Sequence, residues 1–197
     1  METEMEPESI STPIIKPKTF FWEIAQTTLI AFVLAQLLVR FVVQPHNVEG
    51  ASMEPTFSNG DYILTDKITY LLRKPDRGEV VIFHPPQSES IEYIKRIIGL
   101  PGDVIEYDDR RILINGRLLS EPYLAYAHTL IPPETIKGAT TITVPENNYY
   151  VLGDNRGNSY DSRYFGVIDS ENIEGRAIVR YWPITEVKAL TTPKFAF

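Results

Sequence analysis

An apolar stretch of 24 residues near the amino terminus limits the folds open to this chain. In "FFWEIAQTTLIAFVLAQLLVRFVV", residues 20–43, 18 of the 24 positions are apolar. A helix of this length is about 36 Å long, enough to cross a hydrocarbon core of about 30 Å. Glu23 and Arg40 lie near its two ends, where long charged side chains can reach the membrane interface. The stretch therefore predicts a retained membrane anchor.

Two other interpretations of residues 20–43 stay open. A buried core helix would need other helices around it, and none is apparent in the sequence. A cleavable signal peptide would need an Ala-x-Ala site after it and a basic flank before it, but no such site follows and residues 1–19 are acidic overall. Those 19 residues are rich in Glu and Pro and predict a disordered tail. Lys16 and Lys18 weakly favour a cytoplasmic N-terminus.

The composition excludes several classes of function. A net charge of −7 without a basic run argues against nucleic acid as a partner, because phosphate binding needs a concentrated basic face. The chain has no cysteine, which excludes disulfides, thiol catalysis and thiolate metal sites. His46, His84 and His128 are dispersed along the chain, so no clustered metal ligands and no cofactor are predicted.

In the remainder of the chain, residues 44–197, the sequence pattern is typical of short β-strands separated by turn residues. Runs such as "DYILTDKI", "GEVVIFH" and "NYYVLGD" recur at hairpin spacing without alternating long helices. Asn115-Gly116 lies between two apolar runs and predicts a type I′ hairpin turn. We therefore predict an antiparallel β-barrel or sandwich-like domain. A smaller insertion is expected at about 104–148, with an irregular loop at 120–137.

Ser52 lies in "EGASMEPT", where it is either a turn residue or an exposed nucleophile. A serine hydroxyl attacks a carbonyl at neutral pH only when a base takes its proton. None of the three histidines lies in a recognisable triad context, and no pair of carboxylates is singled out by its surroundings. A lysine is the remaining candidate base.

Lys95 lies in the apolar run "YIKRIIGLPGD". In a strand, alternation places Tyr93, Lys95 and Ile97 on one face. Burial penalises the ammonium form and lowers the pKa of a lysine, and only the neutral amine can act as a base. Lys95 is therefore either a desolvated base or a lysine whose amine reaches past its neighbours to water.

A third segment, "VLGDNRGNSYDSRYFG" at 151–166, predicts a strand end that runs into a tight polar loop. Such loops supply hydroxyls and backbone donors to sites held by a rigid scaffold. The same residues also suit a purely structural loop, in which Asp154 and Asn155 satisfy turn backbone and Asp161 pairs with Arg163.

Taken together, these segments resemble the sequence boxes of type I signal peptidases, the membrane-anchored serine–lysine proteases that remove signal peptides from exported proteins. "ASMEPT" is similar to the nucleophile box, "GDYILTDK" to the segment after it, "YIKRIIGLPGD" to the lysine box, and "GDNRGNSYDSRYFG" to the last long box. "GRAIVRYWP" is similar to the closing strand. The resemblance covers roughly residues 48–183, with a more divergent part at 120–140.

The resemblance implies roles for individual residues. Ser52 would be the nucleophile and Lys95 the general base, with the Ser159 hydroxyl holding the lysine amine in place. Asp161 and Arg163 would form an ion pair that braces the loop. Arg96 would join that ion pair as a third charged residue, and Asp154 would be a further acidic group that supports the site. Val48, Met53 and Tyr93 would line a shallow pocket for small side chains at positions −1 and −3 of the cleaved bond.

Gly50 stands where some relatives place a second serine that helps the oxyanion hole, so the Ser52 N–H is one expected donor and the second stays unassigned. Relatives in the endoplasmic reticulum have histidine where Lys95 stands, which implies the bacterial or organellar kind. The implied enzyme is a monomer without metal or cofactor, whose partners are preprotein signal peptides and the lipid bilayer. Its catalytic domain would be periplasmic, extracytoplasmic or thylakoid lumenal. A self-cleaving serine–lysine regulatory protease and a non-catalytic membrane-anchored β binding module stay open as alternatives.

Overall fold

A computed structural model describes residues 17–108, 111–124, 141–193 and 195. Helix α1, Pro17–Phe41, contains most of the apolar stretch. Its segment Phe20–Phe41 has 22 residues and a mean hydropathy of 1.7, and none of its most apolar part is buried against the rest of the described chain. Its length and composition therefore allow it to span a membrane. Of the predicted disordered tail, residues 1–16 lie outside the described residues, and residues 17–19 form the first turn of α1.

The β-rich unit begins at Arg40 and contains two antiparallel sheets. The larger sheet consists of β1 (Val43–Asn47), β2 (Tyr62–Asp66), β3 (Val80–Phe83), β4 (Tyr93–Gly99), β9 (Asn148–Leu152), β10 (Ile168–Asp169), β11 (Ile173–Trp182) and β12 (Lys188–Ala189). Its order is β1-β2-β11-β3-β4-β9-β10, and β12 also pairs with β11. The predicted fold class, mainly antiparallel β with one N-terminal apolar helix, is confirmed.

The smaller sheet falls within the predicted insertion. Its strands are β5 (Val104–Asp108), β6 (Arg111–Ile114), β7 (Arg117–Leu118) and β8 (Thr141–Thr143), in the order β7-β6-β5-β8. The β6–β7 turn has positive φ at both Asn115 (53°) and Gly116 (74°), as a type I′ turn requires. Of the predicted loop at 120–137, residues 125–137 lie outside the described residues.

The larger sheet curls because its longest strand is irregular. Strand β11 has ten residues, and its pairing register shifts three times along its length, twice against β2 and once against β3. Bulges of this kind bend a strand and increase its twist. As a result, β1 and the beginning of β4, which are four strands apart in the sheet order, line the same groove.

Burial follows from position in the sheet. Strand β3 (VVIF) lies between β11 and β4 and is buried at all four positions. One apolar cluster joins Ile97 to β3 and β9, and a second joins Met53 and Phe57 to Val80 and Ile82. Two short helices, α2 (Thr69–Leu72) and α3 (Ser162–Phe165), and two 3-10 turns, Ser170–Asn172 and Ile184–Glu186, complete the described elements.

Candidate active site

Ser52 lies in the long turn between β1 and β2. The base of this turn is closed by hydrogen bonds from the N–H of Val48 to the carbonyl of Asp61 (2.8 Å) and from the N–H of Gly60 to the carbonyl of Val48 (2.9 Å). Met53, next to Ser52, is only 1% exposed and anchors the turn in the apolar core. Ser52 itself is half-buried and lines the groove, so its hydroxyl can be approached from that side.

Gly50 shapes the backbone before Ser52. Its φ is +89°, a conformation that residues with a Cβ rarely adopt, although no atom lies within 4 Å of the place a Cβ would take. Its N–H donates to Oδ1 of Asn59 at 2.8 Å. In this structure the Gly50 N–H is therefore already engaged by the Asn59 side chain.

Lys95 contacts Ser52 directly. Its Nζ lies 2.8 Å from Oγ of Ser52 and donates a second hydrogen bond to the Ile94 carbonyl at 2.9 Å. The side chain is held on β4, which pairs with β3 through Val81 and Lys95. The residue is 4% exposed, its amine lies 5.3 Å from the centre of the Tyr93 ring, and no described carboxylate forms an ion pair with it.

The surroundings of Lys95 favour the neutral amine. Burial lowers the pKa of Lys95 to about 8, and the nearby charge of Arg163 acts in the same direction. The negative charges of Asp161 and Asp154 act in the opposite direction without outweighing burial. Because a neutral amine is a hydrogen-bond acceptor as well as a base, the 2.8 Å contact with Ser52 suits transfer of the hydroxyl proton to Lys95.

The loop after β9 is hydrogen-bonded to the backbone of the turn that carries Ser52. The N–H of Asn155 donates to the Ser52 carbonyl at 3.0 Å, and its side-chain amide donates to the Ala51 carbonyl at 3.1 Å. A Cβ on Gly153 would approach the Ser52 carbonyl oxygen to 2.5 Å and would overlap Oγ of Ser159. Only glycine allows the loop to lie this close to Ser52.

Asp154 joins this loop to β4 and to the turn that carries Ser52. Its carboxylate receives two hydrogen bonds from Arg96, at 2.9 Å from Nε and 2.6 Å from Nη2, and one from Oγ1 of Thr56 at 2.5 Å. Asp154 is fully buried and Arg96 is 4% exposed. We expected Arg96 beside the ion pair of Asp161 and Arg163, whereas it pairs with Asp154, because alternation along β4 turns it to the other face from Lys95.

Asp161 and Arg163 form a second buried ion pair. The guanidinium donates from Nε to Oδ1 at 2.7 Å and from Nη2 to Oδ2 at 2.8 Å. Asp161 also accepts the N–H of Gly153 at 3.0 Å, and Arg163 donates to the Arg156 carbonyl at 2.7 Å. The pair therefore ties both ends of the loop together.

Ser159 lies beside the dyad without the expected hydrogen bond to Lys95. Its Oγ is buried and has no hydrogen-bond partner among the described residues. The hydrogen bonds that Lys95 makes within this part of the chain go to Ser52 and to the Ile94 carbonyl. An ammonium group has three hydrogens to donate, so one remains for Ser159.

The dyad opens into a groove of about 710 Å³. Its walls come from residues 44–49 on one side and 90–95 on the other, and Val48, Ile63 and Ile82 give it an apolar lining. Of the three predicted pocket residues, Val48 and Tyr93 line the groove, whereas Met53 does not, because it is buried in the core below it.

Sequence reasoning missed several contacts of this site. The contact of Thr56 with Asp154 was not predicted, and the only hint of it in the sequence is that Thr56 lies within "ASMEPT". Asn155 was predicted only as a turn residue. Arg156 forms a buried ion pair with Glu121 of the divergent stretch, with 2.7 Å between Nη1 and Oε2. No pattern in the sequence indicates this pair. The three histidines are dispersed in the sequence, yet His46 and His84 both contact the carboxylate of Glu174, at 3.7 and 3.3 Å.

Comparisons with known proteins show which sequences this chain is similar to. The family described as "Signal peptidase, peptidase S26" matches residues 21–182. A "Probable signal peptidase I-2" of Synechocystis sp. is 40% identical over 180 residues, which cover 89% of this chain and 79% of the relative. "Signal peptidase IB" of Staphylococcus aureus is 35% identical over 176 residues, 84% of this chain and 91% of the relative.

A solved structure is also similar. The crystal structure of a signal peptidase I from Enterococcus faecalis is 41% identical, with a TM-score of 0.45, over 53% of this chain and 97% of that one. The family match spans most of the sequence, including Ser52, Lys95 and the loop that braces them. The chain belongs to the signal peptidase family, peptidase S26.

Proposed function

We propose that Ser52 and Lys95 are the nucleophile and general base with which this signal peptidase cleaves signal peptides from preproteins. The observation that carries the assignment is the 2.8 Å contact between Lys95 Nζ and Ser52 Oγ, in a site where burial lowers the pKa of the lysine to about 8. A base with a pKa near the working pH accepts and returns a proton efficiently.

The reaction is acyl transfer in two steps. Neutral Lys95 takes the proton of Ser52 as the Ser52 Oγ attacks the carbonyl carbon of the −1 residue. Lys95 then protonates the leaving amine, and water activated by the same lysine releases the signal peptide from Ser52. The N–H of Ser52, which has no acceptor among the described residues, is a suitable donor to the oxyanion.

Substrate specificity is assigned to the groove. An extended peptide that lies along it as an added strand would turn its −1 and −3 side chains to the same side, because side chains alternate in a strand. The apolar lining by Val48, Ile63 and Ile82 favours small apolar side chains at both positions, as in Ala-x-Ala. Tyr93 is assigned to the same wall.

The buried ion pairs and Ser159 are assigned to positioning. Asp154, with Arg96 and Thr56, holds the nucleophile turn against β4, and Asp161 with Arg163 holds the loop that contacts it. A rotation about the side chain of Ser159 would let its orphan hydroxyl accept the remaining hydrogen of Lys95. That contact would keep the amine aimed at Ser52.

Helix α1 is assigned as a single-pass anchor. Lys16 and Lys18 favour a cytoplasmic N-terminus, which places the β-rich unit in the periplasm or a lumen, where signal peptides end. Anchoring raises the local concentration of a substrate that is itself in the membrane. We expect a monomer, because both dyad residues and both ion pairs come from one chain. Family membership leaves no support for the self-cleaving regulator or the non-catalytic binding module.

The test is processing in vivo of a preprotein with an Ala-x-Ala site. We expect Ser52→Ala and Lys95→Met to abolish processing, and Ser159→Ala to slow it. Ser58→Ala and Lys74→Met are matched controls at exposed positions and should process normally. Wild-type processing by either dyad variant would refute the assignment.

A further inference from the structure

Three side chains that can bind a metal ion meet where β1 approaches the beginning of β4. Nε2 of His46 lies 3.2 Å from Oε2 of Glu92 and 3.7 Å from Oε2 of Glu174. The ligand atoms of all three lie within 4.8 Å of one another. A tetrahedral zinc ion with bonds of about 2.1 Å holds its ligand atoms about 3.4 Å apart. The two measured distances lie on either side of that value.

Two of these ligand atoms are buried without a hydrogen-bond partner. Among the described residues, neither Nε2 of His46 nor Oε2 of Glu174 makes a hydrogen bond of normal geometry. The side chain of His46 is only 10% exposed, so water does not readily replace the missing partner. An unsatisfied buried polar atom costs about 1–3 kcal/mol, and a shared cation would remove that cost at both atoms.

Neighbouring side chains orient the two buried ligands. Nδ1 of His46 lies 3.0 Å from Oγ1 of Thr65, which is fully buried. The other carboxylate oxygen of Glu174, Oε1, lies 3.3 Å from Nε2 of His84. Partners of this kind orient metal ligands in proteins and fix the tautomer of the imidazole. Here they leave Nε2 and Oε2 turned toward each other.

We propose that His46, Glu92 and Glu174 bind one zinc ion. One imidazole and two carboxylates suit zinc better than magnesium or calcium, which prefer oxygen ligands alone. His46 and Glu92 both line the groove, which leaves a fourth coordination position facing it. The ion joins β1 to the segment before β4, two parts of the sheet that are not hydrogen-bonded to each other.

The test is zinc binding by the full-length protein in detergent after removal of metal with a chelator. Titration with Zn²⁺ against a chromophoric competitor should give one ion per chain, and Co²⁺ should give the intense visible absorption of a tetrahedral site. We expect His46→Gln, Glu92→Gln and Glu174→Gln each to weaken zinc binding by at least about tenfold. His128→Gln removes the remaining histidine of the chain and is the matched control, with unchanged binding.

Two results would overturn the proposal. One is a wild-type protein that takes up no zinc against the competitor. The other is zinc binding that is equally tight in wild type and Glu92→Gln. Glu92 is 38% exposed, so its replacement leaves the fold intact. Zinc should also raise the unfolding temperature of wild type and not of Glu92→Gln, a readout that does not depend on peptidase activity.

Discussion

Lys95 and Arg96 are consecutive residues of β4 and each is only 4% exposed, yet their surroundings shift their pKa values in opposite directions. Burial acts to lower the pKa of Arg96, but the charge and hydrogen bonds of Asp154 outweigh burial and raise it. Lys95 contacts only a hydroxyl and a carbonyl among the described residues, and burial lowers its pKa to about 8.

At this site burial therefore lowers the pKa of a cationic side chain only where no carboxylate contacts it. Because successive strand residues point to opposite faces, one face of β4 carries a paired cation that braces the loop and the other carries an unpaired amine beside Ser52. Asp154 and Asp161 are near enough to influence Lys95, but each is already bonded to a guanidinium. The two arginines thereby keep both carboxylates away from the amine.

The largest effect is expected from Lys95→Arg, which places at position 95 the guanidinium group that Arg96 carries. A guanidinium stays protonated and cannot accept the Ser52 proton, so Lys95→Arg should lower kcat/KM on an Ala-x-Ala peptide by at least about 10³-fold. Lys74→Arg, at an exposed position, is the control and should be fully active. More than a tenth of wild-type activity in Lys95→Arg would mean that another group is the base.

Removing the partner of Arg96 should be the next largest change. Asp154→Ala leaves a buried guanidinium unpaired, and breaking such a pair costs about 3–5 kcal/mol of unfolding free energy. The exposed pair of Asp108 with Arg111, 3.3 Å apart with side chains 63% and 53% exposed, gives the control. Asp108→Ala should cost less than about 1 kcal/mol. Denaturant unfolding measures both, and equal costs would contradict the comparison.

Removing the amine of Lys95, which has no carboxylate partner among the described residues, should instead raise the free energy of unfolding. The folded pKa of Lys95 is lowered from 10.5 to about 8, so the unfolded chain binds more protons between these pH values and stability rises with pH there. Below pH 8 the penalty of burying the charge is fully present. Lys95→Met should therefore be more stable than wild type at pH 7, by up to about 3 kcal/mol, and the gain should shrink above pH 8. A gain that is the same at pH 7 and pH 10 would argue against this origin.

The pH dependence of cleavage is the smallest and most direct readout. Because the base proposed here works only as the neutral amine, kcat/KM should rise about tenfold per pH unit below pH 8 and level off above it. A peptide without titratable side chains removes effects of the substrate, and thermal unfolding over the same pH range serves as the control for stability. A rate that keeps rising to pH 10 would indicate an ordinary, solvated lysine.

Much of the architecture could be predicted because its signals are local. The apolar stretch at 20–43, the period-2 strands and the hairpin at Asn115-Gly116 each depend on residues close in sequence. The pairing of Ser52 with Lys95 was reached through the order of the boxes, since 43 positions separate the two residues and no local pattern connects them.

The rest depended on contacts between distant segments. Arg96 could be placed near the site, but its choice of Asp154 over Asp161 is decided by the face of β4 from which it projects. The sequence predicts Met53 as a pocket residue beside Ser52, but the turn between β1 and β2 directs its side chain into the apolar core. His46 and Glu174 are 128 positions apart and meet only because β1 and β11 lie in one curled sheet.

Local signals in the sequence were enough to predict the apolar amino-terminal helix, the β-rich character of the remainder and the chemical groups available to the site. Periodicity and turn chemistry act over a few residues and are legible without coordinates. The tertiary structure alone decided which buried cation has a carboxylate partner and which does not. That choice depends on distances of a few ångströms between different strands and loops, and it sets the protonation of Lys95 on which the proposed chemistry depends.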